Sequence, residues 1–255
     1  MDVRVTPGVK WLLIANTAAF LPGVIPGISG AYFHLFALNP QLAIGHFFVW
    51  QFLSYSFLHA GVFHYAFNMM ALYFFGTEVE GSWGTRKFLW LYFLAALGAG
   101  LISAPLFYGR SVVGASGAVL ALLYVFARMY PQRTILMFFV IPVPAILAVG
   151  VIGAISLFSA ISGSGGNIAH LTHLGGLFVG WVFYRYQAKV EDYLGGRKQQ
   201  SLEREWRHRA QEASRKRAFF EKEIDPILDK ISQKGLHSLT ETEKRKLKQA
   251  KEMRQ

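Results

Sequence analysis

The chain has 255 residues and no cysteine, and its formal net charge of +11 sits on a sequence that is 53% hydrophobic and only 16% charged. The absence of thiols excludes disulfides, cysteine-zinc sites and thiol nucleophiles. Between Val3 and Val190 the only acids are Glu78 and Glu80, whereas residues 191–255 hold 17 lysines and arginines against 12 acids, so 1–190 reads as a membrane-embedded domain and 191–255 as a basic helical tail.

Apolar runs predict an all-α, polytopic membrane fold with six transmembrane spans at about 8–30, 60–80, 87–107, 113–130, 145–162 and 168–187. The first run is long for a signal peptide and lacks a compact small-residue cleavage site, so it reads as a retained span. Residues 31–58 are too broken to cross, yet they are dense in aromatics, including Phe47, Phe48, Trp50, Phe52, Tyr55 and Phe57. Such rings suit the membrane interface, and a loop lying in the outer leaflet's surface is expected there. Ile141-Pro142-Val143-Pro144 cannot continue a helix, which starts the fifth span after Pro144 and leaves 132–144 as a connector.

In the tail, Ile227, Leu228 and Ile231 share one predicted helical face, Gly235 ends that helix, and Thr240 with Glu243 forms a capping box for the last one. The stretch 202–222 reads as a solvated helix or linker. Its basic part, 204–217, is suited to attraction by anionic lipid, and no nucleic-acid-binding module is recognisable in it.

An even number of spans puts both termini on one side of the bilayer. Arg4, Lys10, Arg86, Lys87, Arg128, Arg133, Arg185 and Lys189 fall on one face and Arg110 alone on the other, which makes the termini cytoplasmic.

Among the polar side chains within the spans, five stand near span starts: His64 and Asn68 in the second, Ser116 in the fourth, His170 and His173 in the sixth. These three spans run in the same direction, so the polar groups lie at one level, roughly 5 to 12 Å below the outer surface. A hydroxyl, imidazoles and a carboxamide at one depth can supply a nucleophile, a base and oxyanion donors. His64 and Asn68, four apart, stack on one helical face and suit an oxyanion hole. Ser116 lies at a helix entry, where unpaired N–H groups and the positive dipole end favour negative charge, and its own N–H is a third donor. Gly114 and Gly117 clear space around it.

His173 is followed by Gly176 and Gly180 on its own face, a small-residue surface that allows close approach to another helix. It is therefore preferred as the base, with His170 one turn outward as a neighbouring contact. No His-Glu-x-x-His zinc motif is present and no pair of aspartates falls within the spans, which disfavours intramembrane metallo- and aspartyl chemistry. A site built from His64, His170 and His173 lacks carboxylate partners for a metal, so neither metal nor cofactor is expected. With no acid to orient the histidine, a Ser-His dyad is favoured over a triad. A solute transporter is disfavoured because the polar cluster lies near one surface and no inverted repeat is visible.

These motifs resemble the rhomboid family of intramembrane serine proteases, over about 45–187. Gly114-Ala115-Ser116-Gly117 is similar to its Gly-x-Ser-Gly motif, the run from His59 through His64 to Asn68 to its His-x4-His-x3-Asn pattern, and His173 with Gly176 and Gly180 to its His-x-x-Gly-x-x-x-Gly. The resemblance implies Ser116 as nucleophile, His173 as base, and His64, Asn68 and the Ser116 N–H as oxyanion stabilisers, with His59, His170 and the four glycines in support. It implies, without a cofactor, cleavage of transmembrane protein substrates at or near the outer end of their helices, in what would be a bacterial cytoplasmic membrane. A catalytically silent relative that binds or extracts membrane clients is the alternative. Gly76, Glu80 and Gly84 match an inner turn of the family, in which Glu80 is structural. Gln51 stands where many members carry arginine after Trp50, and Leu120 where some carry a tyrosine that stacks on the histidine. The tail resembles a helical appendage of some bacterial members, for which no partner is assigned.

Overall fold

In the computed structural model, which describes residues 5–106, 110–137, 140–162 and 167–252, the chain divides into two units, Met1–Gln187 and Ala188–Gln255. Arg4 of the charge pattern, the end of the third expected span at Phe107, and the junction at 163–166 lie outside the described residues.

The first unit is a helical bundle. Its helices are α1 (Pro7–Gly23), α2 (Ser29–Phe36), α3 (Gln51–Ser54), α4 (Val62–Ala71), α5 (Thr77–Trp83), α6 (Thr85–Ser103), α7 (Ser116–Met129), α8 (Ala145–Ser162) and the first part of α9 (Asn167–Phe219). Its surface chemistry is that of a lipid-facing protein. Trp11, Phe63, Phe158 and Ile161 are each at least 68% exposed, while Asn16, Asn68, Ser103, Ser156 and Thr172 are buried. Apolar side chains outside and polar ones inside suit a hydrocarbon solvent rather than water. Among the described residues two helices, α6 and α8, are long and apolar enough to cross a membrane by themselves; α7 is apolar but shorter.

One expected boundary needs correction. The first span does not reach residue 30: α1 stops at Gly23, where Pro22 lies inside its last turn and Gly27, with φ +83°, redirects the chain. The segment 31–58, expected as a loop that does not cross, carries α2, a widened π-type turn over Gln41–Gly45, α3 and a 3-10 turn over Tyr55–Phe57. The fold is mostly helical, with one short stretch of strand among the described residues. The connector 132–144 forms an antiparallel hairpin, β1 (Thr134–Met137) with β2 (Ile141–Pro144), in which Thr134 pairs with Pro144 and Met137 with Ile141. Its apolar run lacks the alternation that marks a strand, and prolines close its last positions.

α4 continues through a π-type turn at Leu72–Gly76 into α5, so the second expected span is one helix with a widened turn in its middle. At its end the buried carboxylate of Glu80 accepts hydrogen bonds from the N–H groups of Gly8 at 2.7 Å and Val9 at 2.8 Å and from the hydroxyls of Thr6 and Thr85. α1 begins with Pro7 and has no side-chain cap of its own; Glu80 supplies it from elsewhere in the chain, anionic at the positive end of the helix. One acid thus fixes the starts of α1 and α6.

The second unit holds the rest of α9, then α10 (Asp225–Lys234) and α11 (Glu241–Glu252). Gly235, with φ +76°, ends α10. Thr240 and Glu243 form the reciprocal cap, with Thr240 N–H to Glu243 Oε2 at 2.7 Å and Glu243 N–H to Thr240 Oγ1 at 3.3 Å. Lys230 also bonds Glu243, at 2.9 Å, and together with Thr240 holds that carboxyl down to about 2. Ile224, Ile227, Leu239 and Ala250 form the small core. Leu228, expected to share a face with Ile227 and Ile231, is 50% exposed instead, because consecutive residues project about 100° apart on a helix.

Glu80→Gln keeps the size of the side chain but removes the charge from four donors. The substitution is expected to cost about 2–4 kcal/mol, lowering the detergent-solubilised unfolding midpoint by about 5–10 °C. A midpoint unchanged within about 2 °C would contradict the capping role.

Candidate active site

α7 begins at Ser116, and the residue before it, Ala115, offers no side-chain cap. The N–H groups of this first turn therefore point, without intrahelical acceptors, towards the space beyond the helix. Ser116 Oγ is 2.8 Å from His173 Nε2 on α9. Both residues are half-buried, enclosed by protein yet reachable.

The approach of α7 to α9 that permits this bond is made by glycines. A Cβ on Gly176 would lie 2.0 Å from the carbonyl oxygen of Gly117, and one on Gly180 2.9 Å from Cα of Ala121. Gly117 itself faces Ala99 of α6, where a Cβ would come within 2.9 Å of the alanine methyl. Gly175, which the sequence reading passed over, packs its α-carbon against the backbone of Ala99. Thr172 and Ser103 were also missed. They are buried and joined hydroxyl to hydroxyl at 3.2 Å, and Ser103 donates to the carbonyl of Ala99 at 2.6 Å. The signal for this pair was present, since small hydroxyl residues in apolar helices commonly bond across helices.

His64 enters from α4. Its Nδ1 accepts a long hydrogen bond of 3.5 Å from the Ala60 N–H, which leaves Nε2 to carry the proton of the neutral ring. That Nε2 faces Gly114: a Cβ there would be 2.7 Å from it and 3.8 Å from Ser116 Oγ. Gly114 has φ +124° and packs against an imidazole, so backbone and space both require glycine. Asn68 lies one turn along α4, buried, with one amide N–H given to the His64 carbonyl at 2.8 Å. His59 is buried behind His64, ring centroids 5.2 Å apart, and also lies edge-on to Tyr65. His170 sits edge-on to His173 at 6.1 Å and makes no hydrogen bond to Ser116 among the described residues. Among those residues no three potential metal ligands are grouped to hold an ion.

The segment leading into Ser116 is held by the stretch 31–58, which sequence reasoning did not connect to the site. The Gly114 N–H donates to the Tyr55 carbonyl at 2.9 Å, and Leu38 and Val112 exchange a pair of backbone bonds at 2.9 and 3.0 Å. Tyr55 is fully buried, its hydroxyl bonded to the Ala96 carbonyl at 2.8 Å. Gln51 in turn ties the stretch 31–58 to itself. Fully buried, it donates to the His34 carbonyl at 2.9 Å and accepts from the Asn39 N–H at 3.1 Å, while Trp50 Nε1 donates to the Leu35 carbonyl at 2.8 Å. An uncharged amide thus satisfies both a donor and an acceptor there, which an arginine, lacking any acceptor, could not do. Leu120 is buried in the core of α7.

These elements are those of a membrane-embedded helical bundle with a serine and a histidine meeting near its helix starts. The Rhomboid domain model matches residues 46–189, and the chain belongs to the rhomboid family, a membrane-integral family that includes intramembrane proteases. Residues 211–250 match a further family of unknown function. The chain is 41% identical over 80 residues to Rhomboid protease GluP of Bacillus subtilis, covering 30% of this chain and 16% of that protein. It is 36% identical over 75 residues to Rhomboid protease GlpG of Yersinia pestis, covering 29% and 27%, and 39% identical over 74 residues to RHOMBOID-like protein 4 of Arabidopsis thaliana, covering 29% and 19%. These matches span less than a third of each relative's length.

Gly176→Ala forces a methyl onto the Gly117 carbonyl and is expected to lower the unfolding midpoint by about 5 °C or more. Gly150, whose Cβ would meet nothing within 4 Å, provides the matched control. Gly150→Ala should stay within about 2 °C of the wild type or rise, since alanine favours a helix. Equal midpoints for the two variants would contradict the close α7–α9 contact.

Proposed function

We propose that the chain is an intramembrane serine endopeptidase that works through a Ser116–His173 dyad without a cofactor. The observation that carries this reading is the 2.8 Å contact between Ser116 Oγ and His173 Nε2, at the entry of a helix whose first-turn N–H groups are uncapped. In the proposed reaction Ser116 Oγ attacks the scissile carbonyl carbon and its proton passes to His173 Nε2. The oxyanion is received by His64 Nε2–H, by the amide N–H of Asn68 not given to the His64 carbonyl, and by the Ser116 N–H. His173 returns the proton to the leaving amine, the C–N bond breaks, and an ester on Ser116 remains. Water, deprotonated by the same imidazole, then hydrolyses the ester and restores the serine.

The reading extends to topology. Six membrane crossings, formed by α1, α4 with α5, α6, α7, α8 and the first part of α9, would place both termini in the cytoplasm, with 1–190 as the protease domain and 191–255 as its tail. α7, with 14 residues, is only about 21 Å long against the ~30 Å of hydrocarbon. A helix that short, entered from the outer side, begins below the outer surface. Ser116 would therefore meet a substrate's transmembrane helix near its outer end, where the chain can unwind.

Reconstituted enzyme mixed with a transmembrane reporter that carries helix-breaking residues near its outer end should cut it there, as read by mass spectrometry of the fragments. Ser116→Ala and His173→Ala should each lose at least about 1,000-fold, and His64→Ala or Asn68→Ala about 10- to 1,000-fold. His170→Ala should remain within about tenfold of the wild type. Cleavage that survives Ser116→Ala would overturn the assignment, and a larger loss in His170→Ala than in His173→Ala would exchange the two histidines.

A further inference from the structure

The second unit contains a helical stretch whose side chains face solvent. Over 203–217, within α9, six lysines and arginines stand against three glutamates. Arg204, Arg207, Arg209, Arg215 and Arg217 are all exposed, and Trp206 among them is 72% exposed. A solvated helix needs no tryptophan, and an exposed indole ringed by arginines is unexplained by packing within the unit. Helical spacing puts Arg209, Ala210 and Arg217 at three, four and eleven residues from Trp206, on its side of the helix. The salt bridges here, His208 with Glu212 at 3.6 Å and Arg217 with Glu221 at 2.9 Å, are exposed on both partners. Exposed pairs of this kind hold their arginines weakly.

We infer that the 203–217 face centred on Trp206 docks on the anionic headgroups of the membrane in which the same chain is embedded. An indole with an apolar body and one N–H sits well at the headgroup level, and each arginine beside anionic lipid contributes on the order of 1 kcal/mol. The partner is chosen by charge complementarity and by continuity. α9 begins with the residues of the rhomboid domain, so the bilayer surface is held at high effective concentration near this stretch. Gly195 and Gly196 stand side by side in the sequence between the two, and adjacent glycines lower the cost of bending a helix. This inference rests on membership of a membrane-integral family and not on the catalytic reading.

The chain has no cysteine, so Ala210→Cys in the full-length protein carries one nitroxide label and nothing else. The protein is placed in nanodiscs of phosphatidylcholine alone or with about 30% phosphatidylglycerol. In the anionic discs the label's accessibility to a water-soluble relaxation agent should fall at least about twofold, and about 0.5 M NaCl should reverse most of the change. Arg209→Gln with Arg217→Gln, at exposed positions that leave the fold intact, should abolish it. Equal accessibility in the two lipids would overturn the proposal. So would protection that persists in neutral lipid and high salt, which would mean that the face packs on protein instead.

Discussion

The backbone contact between Gly117 and Gly176 is the constraint on which the site depends. Nothing but hydrogen fits between these two residues, since a Cβ on Gly176 would stand 2.0 Å from the Gly117 carbonyl oxygen. Only at that separation do a serine side chain from one helix and an imidazole from the other come within 2.8 Å. The same closeness recurs one turn on, at Gly180 and Ala121, and on the other flank, where Gly175 meets Ala99. Three helices are thus locked backbone to backbone around one hydroxyl. In hydrocarbon, where apolar burial gives no drive for helix association, such van der Waals contact is what remains to hold helices together.

The stretch 34–58 completes this arrangement from the other side. In the proposed mechanism Ser116 presents its own N–H as well as its hydroxyl, and the backbone leading into it is held two residues earlier, at Gly114. Tyr55 fixes the Gly114 amide and Leu38 pairs with Val112. Gln51 and Trp50 in turn hold the backbone around residues 34–39. A stretch that looks peripheral in chain order is therefore bonded directly to the approach to Ser116. Glu80 plays a comparable part at the starts of α1 and α6, where one buried carboxylate satisfies four donors from two places in the chain.

The candidate site's residues were easier to single out in the sequence than the scaffold around them. Ser116, His64, Asn68 and His173 stand out because a polar side chain in an apolar helix is costly, and the glycines three and seven residues after His173 disclose which face it shares. The clamp on Gly114 was not legible, because its atoms are backbone carbonyls and amides that leave no mark on residue identity. Gln51 looked like a missing arginine; its amide proved able both to donate and to accept. The end of α1 at Gly23 was hidden by apolar residues that continue beyond it, although Pro22 and Gly27 were in view. The hairpin Thr134–Pro144 was hidden for the opposite reason, an apolar run with no period of two.

The central claim is that Ser116 is a nucleophile made reactive by His173. The most direct measurement is the site of covalent modification by a fluorophosphonate, located by mass spectrometry in the folded, detergent-solubilised protein. A single adduct on the peptide that contains Ser116, absent in His173→Ala, is the predicted result. An adduct on any other residue, or an equal yield without the histidine, would contradict it.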